Sequence, residues 1–347
     1  MEEVRLTKFS KGGGCGCKIA PSVLQEILST SNNVNYPKLL VGNESSDDAA
    51  IYQLDDVKAM ISTTDFFLPI VDDAFDFGRI AAANAISDVY AMGGTPLMAI
   101  AILGWPVDKI ATSVAQQVLE GGRSICKEAG IPLAGGHTID SGDPIFGLSV
   151  SGTIEIQHLK KNNGARPGDQ LFLTKPIGVG IFATAIKREL LQSEHYPAFI
   201  KQLTRLNKIG EPLGKIKGVH AMTDVTGFGL LGHLNEMIAG SKVSAEIHYG
   251  AIEKMEGIEE YLLKKTIPDA TSRNWNSYSK NVQFEKGVNV MEAFNVLPDP
   301  QTNGGLLISV GKDAIAEVKE VFEQFFLTMN PIGEVVEQRE KAIYVHP

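Results

Sequence analysis

The residues best suited to chemistry lie just inside the N-terminus, in Lys11-Gly12-Gly13-Gly14-Cys15-Gly16-Cys17-Lys18. Glycines let a backbone approach a ligand closely, at an entropic cost when it orders. A neighbouring ammonium lowers a thiol's pKa, so Cys15 and Cys17 beside Lys18 suit a nucleophile or a carrier of a soft atom. A flexible tail with incidental thiols fits the same residues. A zinc site does not, because only Cys126 and seven scattered histidines could complete it and none forms a second paired motif.

A second set is acidic. Asp48, Asp65, Asp88 and Asp224 each fall at the end of an expected strand or helix, beside small or hydroxyl residues. Carboxylates repel a triphosphate, but a divalent cation between them reverses the sign, and Mg²⁺ is held by a few carboxylates plus phosphate oxygens. The same residues also suit helix caps and turns. Helices opening after Gly178 and after Asp224 offer backbone N–H groups to anions. His137 follows two glycines at a strand end, within reach of a ligand. No phosphate loop, dinucleotide fingerprint or Gly-x-Ser-x-Gly elbow occurs, so a nucleotide site here needs another architecture.

The elements that must position these groups follow from periodicity. Strands are expected over 57–64, 97–103, 131–134 and 145–154, with helices over 21–30, 75–92 and 108–129. Beyond 157 come strands at 170–174, 219–223, 243–248, 305–310 and 342–346. Helices are expected there over 178–191, 197–214, 227–239 and 312–326, with 265–285 irregular. Met92 and Met237 read as core fillers. A chain of 347 residues exceeds one ordinary core. The division expected is a mobile glycine/cysteine arm at 1–18, a domain at 19–156 and an α+β domain at 157–347. Net charge of −9 without a basic block argues against nucleic acid. No apolar run reaches membrane-spanning length, and the start Met1-Glu2-Glu3 lacks signal-peptide features. Three cysteines make no disulfide framework, so a reducing cytoplasm is expected.

Several motifs occur in order: Gly14-Cys15-Gly16-Cys17-Lys18, Asn43-Glu44-Ser45-Ser46-Asp47-Asp48-Ala49-Ala50, Thr63-Thr64-Asp65-Phe66-Phe67, Asn84-Ala85-Ile86-Ser87-Asp88, Ala91-Met92-Gly93-Gly94, Gly135-Gly136-His137 and Thr223-Asp224-Val225-Thr226-Gly227-Phe228-Gly229. With them the chain, from about residue 4 to its end, resembles the selenophosphate synthetase (selenide, water dikinase) family. The Thr-Thr-Asp and Asn-x-x-Ser-Asp portions are shared with aminoimidazole ribonucleotide synthetase, thiamine-monophosphate kinase and the hydrogenase-maturation dehydratase, so the Cys arm carries the specific likeness.

The resemblance implies a mixed α/β, two-domain aminoimidazole ribonucleotide synthetase-like fold whose N-terminal domains pair into a β-barrel in a homodimer. It implies synthesis of selenophosphate, AMP and orthophosphate from ATP, selenide and water. Cys15 and Lys18 take the essential catalytic positions, and Asp48, Asp88 and Asp224 hold Mg²⁺. Lys18, Ser45, Ser46, Asp47, Asp65, Asp88, Gly136, His137 and Thr138 contact nucleotide. A monovalent cation such as K⁺ and a selenium-delivery protein are left open; no nucleic acid or membrane partner is implied. The chain departs from the family pattern at Asn303, usually Ser in Pro300-Gln301-Thr302-Asn303-Gly304-Gly305, and at Asp269-Ala270-Thr271-Ser272. Two other readings stay open: a superfamily kinase acting on an organic acceptor, and a non-catalytic thiol carrier regulated by nucleotide.

Overall fold

The computed structural model describes residues 4–9, 13–19, 23, 26–27, 36–42 and 47–347. The helix expected over 21–30 lies largely outside these residues, and Ser45 and Ser46 lie wholly outside them. Among the described residues the first sheet comprises β1 (Leu39–Val41), β2 (Ala50–Gln53), β3 (Lys58–Phe67), β4 (Thr95–Trp105), β5 (Leu133–Asp140) and β6 (Ile145–Glu155). Its order is β1-β2-β3-β6-β4-β5, antiparallel throughout except for the parallel β4/β5 pair. Strand β3 shows why the sheet has one wet and one dry face. Ala59, Ile61, Thr63 and Phe67 point inward, while Lys58, Met60, Ser62 and Thr64 point out.

Two helices cover the inner face, α1 (Ala74–Ala91) and α2 (Thr112–Ala129). Asp73 caps α1 by accepting from Asp76 N–H. Helix α1 is alanine-rich and buried at 15 of its 18 positions, so it has no solvent face and must be packed on both sides. Glycines set its distance from α2. A Cβ on Gly78 would stand 1.9 Å from the Val118 carbonyl oxygen, and one on Gly121 would stand 2.0 Å from that of Phe75.

The second sheet has β7 (Gln170–Leu173), β8 (Val219–Asp224), β9 (Ser244–His248), β10 (Val282–Phe284), β11 (Leu306–Val310), β12 (Pro331–Val336) and β13 (Ile343–His346), in the order β10-β13-β9-β12-β7-β11-β8. Its helices are α3 (Val179–Lys187), α4 (Tyr196–Thr204), α5 (Gly210–Lys215), α6 (Gly229–Ser241), α7 (Ile258–Leu263), α8 (Asp269–Tyr278), α9 (Val290–Val296) and α10 (Ile315–Gln324). One apolar cluster runs from Leu6 to Val345 through both sheets, joined where α1 meets α4 and β8.

Two expectations change. The helix expected over 197–214 is two, broken after Thr204, because the carbonyls of Leu203 and Arg205 accept bonds from Asn303 and Lys175. The stretch 265–285 contains α8, capped in sequence by Pro268. Where it is described, the arm expected at 1–18 makes packed contacts. Leu6 is fully buried, and Asp72 takes Arg5 Nε at 3.1 Å and Thr7 Oγ1 at 2.6 Å. Met92 and Met237 are core, as expected.

Replacing Gly78 with Ala forces α1 and α2 apart and should cost about 1–3 kcal/mol of stability. Gly142→Ala, where an added Cβ meets nothing within 4 Å, should leave the thermal midpoint unchanged in the same scan.

Candidate active site

The last two turns of α1 project Asn84, Ser87 and Asp88 from one face, the i, i+3, i+4 spacing of a helical stripe. Opposite them, β8 ends at Thr223 and Asp224, fixed by pairing with Leu307 and Leu306 of β11. Strand β3 supplies Thr63 and Asp65, and the turn before β2 supplies Asp47 and Asp48.

Shared hydroxyls tie these carboxylates together. Thr63 Oγ1 donates to Asp88 Oδ2. Ser87 donates to Asp224 Oδ2 at 2.5 Å, and Thr223 donates to Asp48 Oδ1 at 2.8 Å. Asn207 Nδ2 reaches both Ser87 Oγ (2.8 Å) and the Gly304 carbonyl (2.9 Å), closing the link between the domains. Asn84 Nδ2 donates to Asp65 Oδ2, and Lys18 Nζ pairs with Asp65 Oδ1 at 3.4 Å. Asp47 Oδ1 accepts the Asn162 N–H at 2.8 Å. So Asp48, Asp65, Asp88 and Asp224, from both domains, share one neighbourhood.

That neighbourhood is electrostatically uncomfortable. Burial, then the Asp224 charge, pushes the Asp48 carboxyl well above the usual range. Asp88 is raised well above it by burial and by Asp65, Asp224 and Asp48. Burial raises Asp224 too, against the pull of Ser87, His233 and Lys18. Desolvation works against the Lys18 ammonium, but Asp65, with Cys15, Asp88 and Asp224 behind it, holds its pKa well above normal.

Among the described residues no three His, Cys, Asp or Glu side chains could hold a metal ion by themselves. The donor set nevertheless fits a cation that arrives with phosphates. Mg²⁺ takes one or two carboxylates plus substrate oxygens, and Asp48 Oδ2 is buried with no hydrogen-bond partner.

Cys15 lies over this cluster in a 3₁₀ turn, Gly14–Cys17, with its thiol donating to Asn84 Oδ1 at 3.2 Å. Lys18 lowers the thiol's pKa, as the sequence suggests, but burial dominates and raises it well above the ordinary value. The thiol in this position is therefore neutral, not a preformed thiolate. Cys17 is half-buried and also raised, chiefly by burial.

Gly136, His137 and Thr138 are elsewhere. They are exposed on the edge strand β5. Asp65, Leu148, Ala101 and Gly136 form one transverse row of the sheet, which puts three strand spacings, about 14 Å, between Asp65 and Gly136. The chain does not bring them to its own aspartates. Asn84 and Ser87 were visible in the sequence as members of a motif, and their helical spacing with Asp88 was the available signal for a shared face. Thr302 and Asn303 stood in a recognisable motif, but nothing local linked it to the arm, and Lys175 gave no local signal.

Residues 46–154 match the family model "AIR synthase related protein, N-terminal domain", and residues 166–346 match its C-terminal counterpart. A selenide, water dikinase of Yersinia pseudotuberculosis is 54% identical over 333 residues, covering 96% of this chain and 94% of that relative. One of Pseudomonas aeruginosa is 52% identical over 345 residues, covering 99% of each. A crystal structure of thiamine-monophosphate kinase from Stenotrophomonas maltophilia aligns over 93% of this chain and 94% of that one, with TM-score 0.64 at 19% identity. That likeness shows the mixed α/β fold.

A raised carboxyl keeps a proton in the fold that the unfolded chain has released. The metal-free fold therefore loses stability as pH climbs from the unfolded carboxyl value, about 4, through the raised values. Asp48→Asn removes one such group. It should raise the metal-free thermal midpoint near pH 8 by about 2–4 °C, an advantage shrinking toward about pH 4, while abolishing turnover.

Proposed function

The chain belongs to the selenide, water dikinase family, and we propose that it makes selenophosphate from ATP, selenide and water, releasing AMP and orthophosphate. It is an enzyme of the kinase class. The observation that carries the proposal is the gathering of Asp48, Asp65, Asp88 and Asp224 from two domains under a turn bearing Cys15 and Lys18. A thiol carrier has no use for so costly a carboxylate cluster, and a superfamily kinase with an organic acceptor has no use for the thiol.

In this reading Asp48, Asp88 and Asp224 hold Mg²⁺, which when bound neutralises the phosphate charge. Phosphoryl transfer is mostly positioning and charge stabilisation. Lys18, anchored by Asp65, presents its ammonium to phosphate oxygens. The arm excludes water from the same space. Selenium attacks the γ-phosphorus, the Se–P bond forming as the bond to the β-phosphate oxygen breaks, and water then cleaves the remaining diphosphate to AMP and orthophosphate. The Cys15 thiol, held by Asn84 Oδ1, orients the incoming selenide without forming a bond to it. Asp65, Asp88 and Asp47 contact the nucleotide in this reading, with Ser45 and Ser46 preceding Asp47 in sequence.

A homodimer belongs to the same proposal. The outer face of the first sheet exposes Met60 and Phe66 from β3, Met98 and Ile100 from β4 and Ile139 from β5. An apolar face of this kind on a soluble fold marks an interaction surface. A second copy covering it would give Gly136, His137 and Thr138 a neighbour, and their nucleotide role is proposed for the partner's site.

Anaerobic assays should yield AMP and orthophosphate only when selenide is present, and Cys15→Ser should abolish that dependence without altering the thermal midpoint. ADP as the stable product with an organic acceptor would replace this reading by the superfamily-kinase one. Ile100→Asp should convert a dimer into a monomer in light scattering and lower kcat at least about tenfold; a fully active monomer removes Gly136–Thr138 from the site.

A further inference from the structure

The motif Pro300-Gln301-Thr302-Asn303-Gly304-Gly305 has no part in the chemistry above, yet the Cys15 turn rests on it. The Cys15 N–H donates to Thr302 Oγ1 at 3.0 Å, a buried bond spanning 287 residues of sequence. Asn84 Oδ1 accepts the Cys15 thiol at 3.2 Å and the Asn303 N–H at 2.7 Å. One amide oxygen of the first domain thus meets both the arm and the second domain's turn.

The fit is close on every side. Gly14 adopts φ +55°, and a Cβ there would stand 2.3 Å from Thr302 Oγ1 and 2.8 Å from Ile70 Cδ1. A Cβ on Gly227 would lie 2.6 Å from the Cys15 carbonyl oxygen. Gly14 N–H donates to the Leu68 carbonyl at 3.0 Å, and Arg273 Nη2 donates to that of Gly16 at 3.2 Å.

The turn itself is braced from behind. Asn303 sits at φ +47°, its side-chain amide donating to the carbonyls of Leu203 (2.6 Å) and Arg205 (3.0 Å). The Asn303 carbonyl accepts Lys175 Nζ at 2.8 Å. Asparagine tolerates left-handed backbone far better than most residues, which gives the departure from Ser at this position a physical reason.

We propose that the Thr302–Asn303 turn, together with Asn84, is the receptor that seats the Cys15 arm over the carboxylate cluster, with Thr302 Oγ1 as the positioning group. The consequence for turnover rests on the arm's catalytic role proposed above; the seat itself does not.

The test uses the full chain carrying Cys17→Ser and Cys126→Ser, so that iodoacetamide labelling, read by mass, reports Cys15 alone. Thr302→Val keeps the shape and removes the acceptor. Losing one buried hydrogen bond should speed Cys15 alkylation roughly tenfold and lower selenide-dependent kcat roughly tenfold, with KM for ATP within about twofold. Thr302→Ser keeps the hydroxyl and should restore both. Gly14→Ala expels the arm through its clash with Thr302 and Ile70 while leaving every residue of the second domain unchanged, and should reproduce the faster alkylation even where Thr302→Val folds poorly. Unchanged alkylation in Gly14→Ala and Thr302→Val overturns the seat, and a Thr302→Ser rate equal to that of Thr302→Val overturns the assignment to the hydroxyl. Faster alkylation with unaltered turnover upholds the seat and instead removes the arm from the chemistry.

Discussion

Everything at the site depends on one helix being enclosed on all sides. Helix α1 lies against the first sheet and α2 on one flank and against α4 and β8 on the other. Its Asn84, Ser87 and Asp88 therefore face a second protein surface instead of water. A polar stripe so buried must be satisfied or cost several kcal/mol. Here Ser87 is satisfied by Asp224 and Asn207, and Asn84 by Cys15, Asn303 and Asp65. The packing of the two domains and the assembly of the site are one event.

Satisfaction is incomplete at the carboxylate cluster, where Asp48 Oδ2 is buried without a hydrogen-bond partner. Among the described residues four carboxyls are brought together, and Lys18 pairs with one of them. Burial and mutual repulsion raise Asp48, Asp88 and Asp224 together. Such crowding is destabilising in the free protein and is the natural complement of a multiply charged cation–phosphate ligand. The thiol follows the opposite logic. Its seat accepts a proton donor, so the arm as described stores Cys15 in neutral form.

Much of this was legible in the sequence. Asp224 in Thr223-Asp224-Val225-Thr226-Gly227 announces a strand end followed by a glycine-opened helix, and β8 and α6 follow that pattern. The thiol arm and the stripe of α1 were equally plain. The seat was not, because Cys15 and Thr302 are joined by a bond across 287 residues and no local period encodes such a contact. The break after Thr204 was hidden for the same reason. The carbonyls that end α4 are claimed by Asn303 and Lys175 from distant segments, and propensity alone continues that helix. The direction of the Cys15 shift also escaped, since a neighbouring lysine can be read from sequence but burial cannot.

The common core has a consequence for how a large ligand enters. Swinging the two halves apart like a clamshell would part Ala91 of α1 from Ile209, Leu213 and Leu306 of the second domain, all now buried, at about 1.5–3 kcal/mol for each large side chain wetted. Among the described residues, lifting the Gly13–Lys18 turn gives up the hydrogen bonds of Gly14, Cys15 and Gly16, the Lys18–Asp65 pair and the burial of the small Cys15 side chain. The turn over the aspartates is thus the smaller of the two interfaces to part, and the apolar seam between the domains the larger.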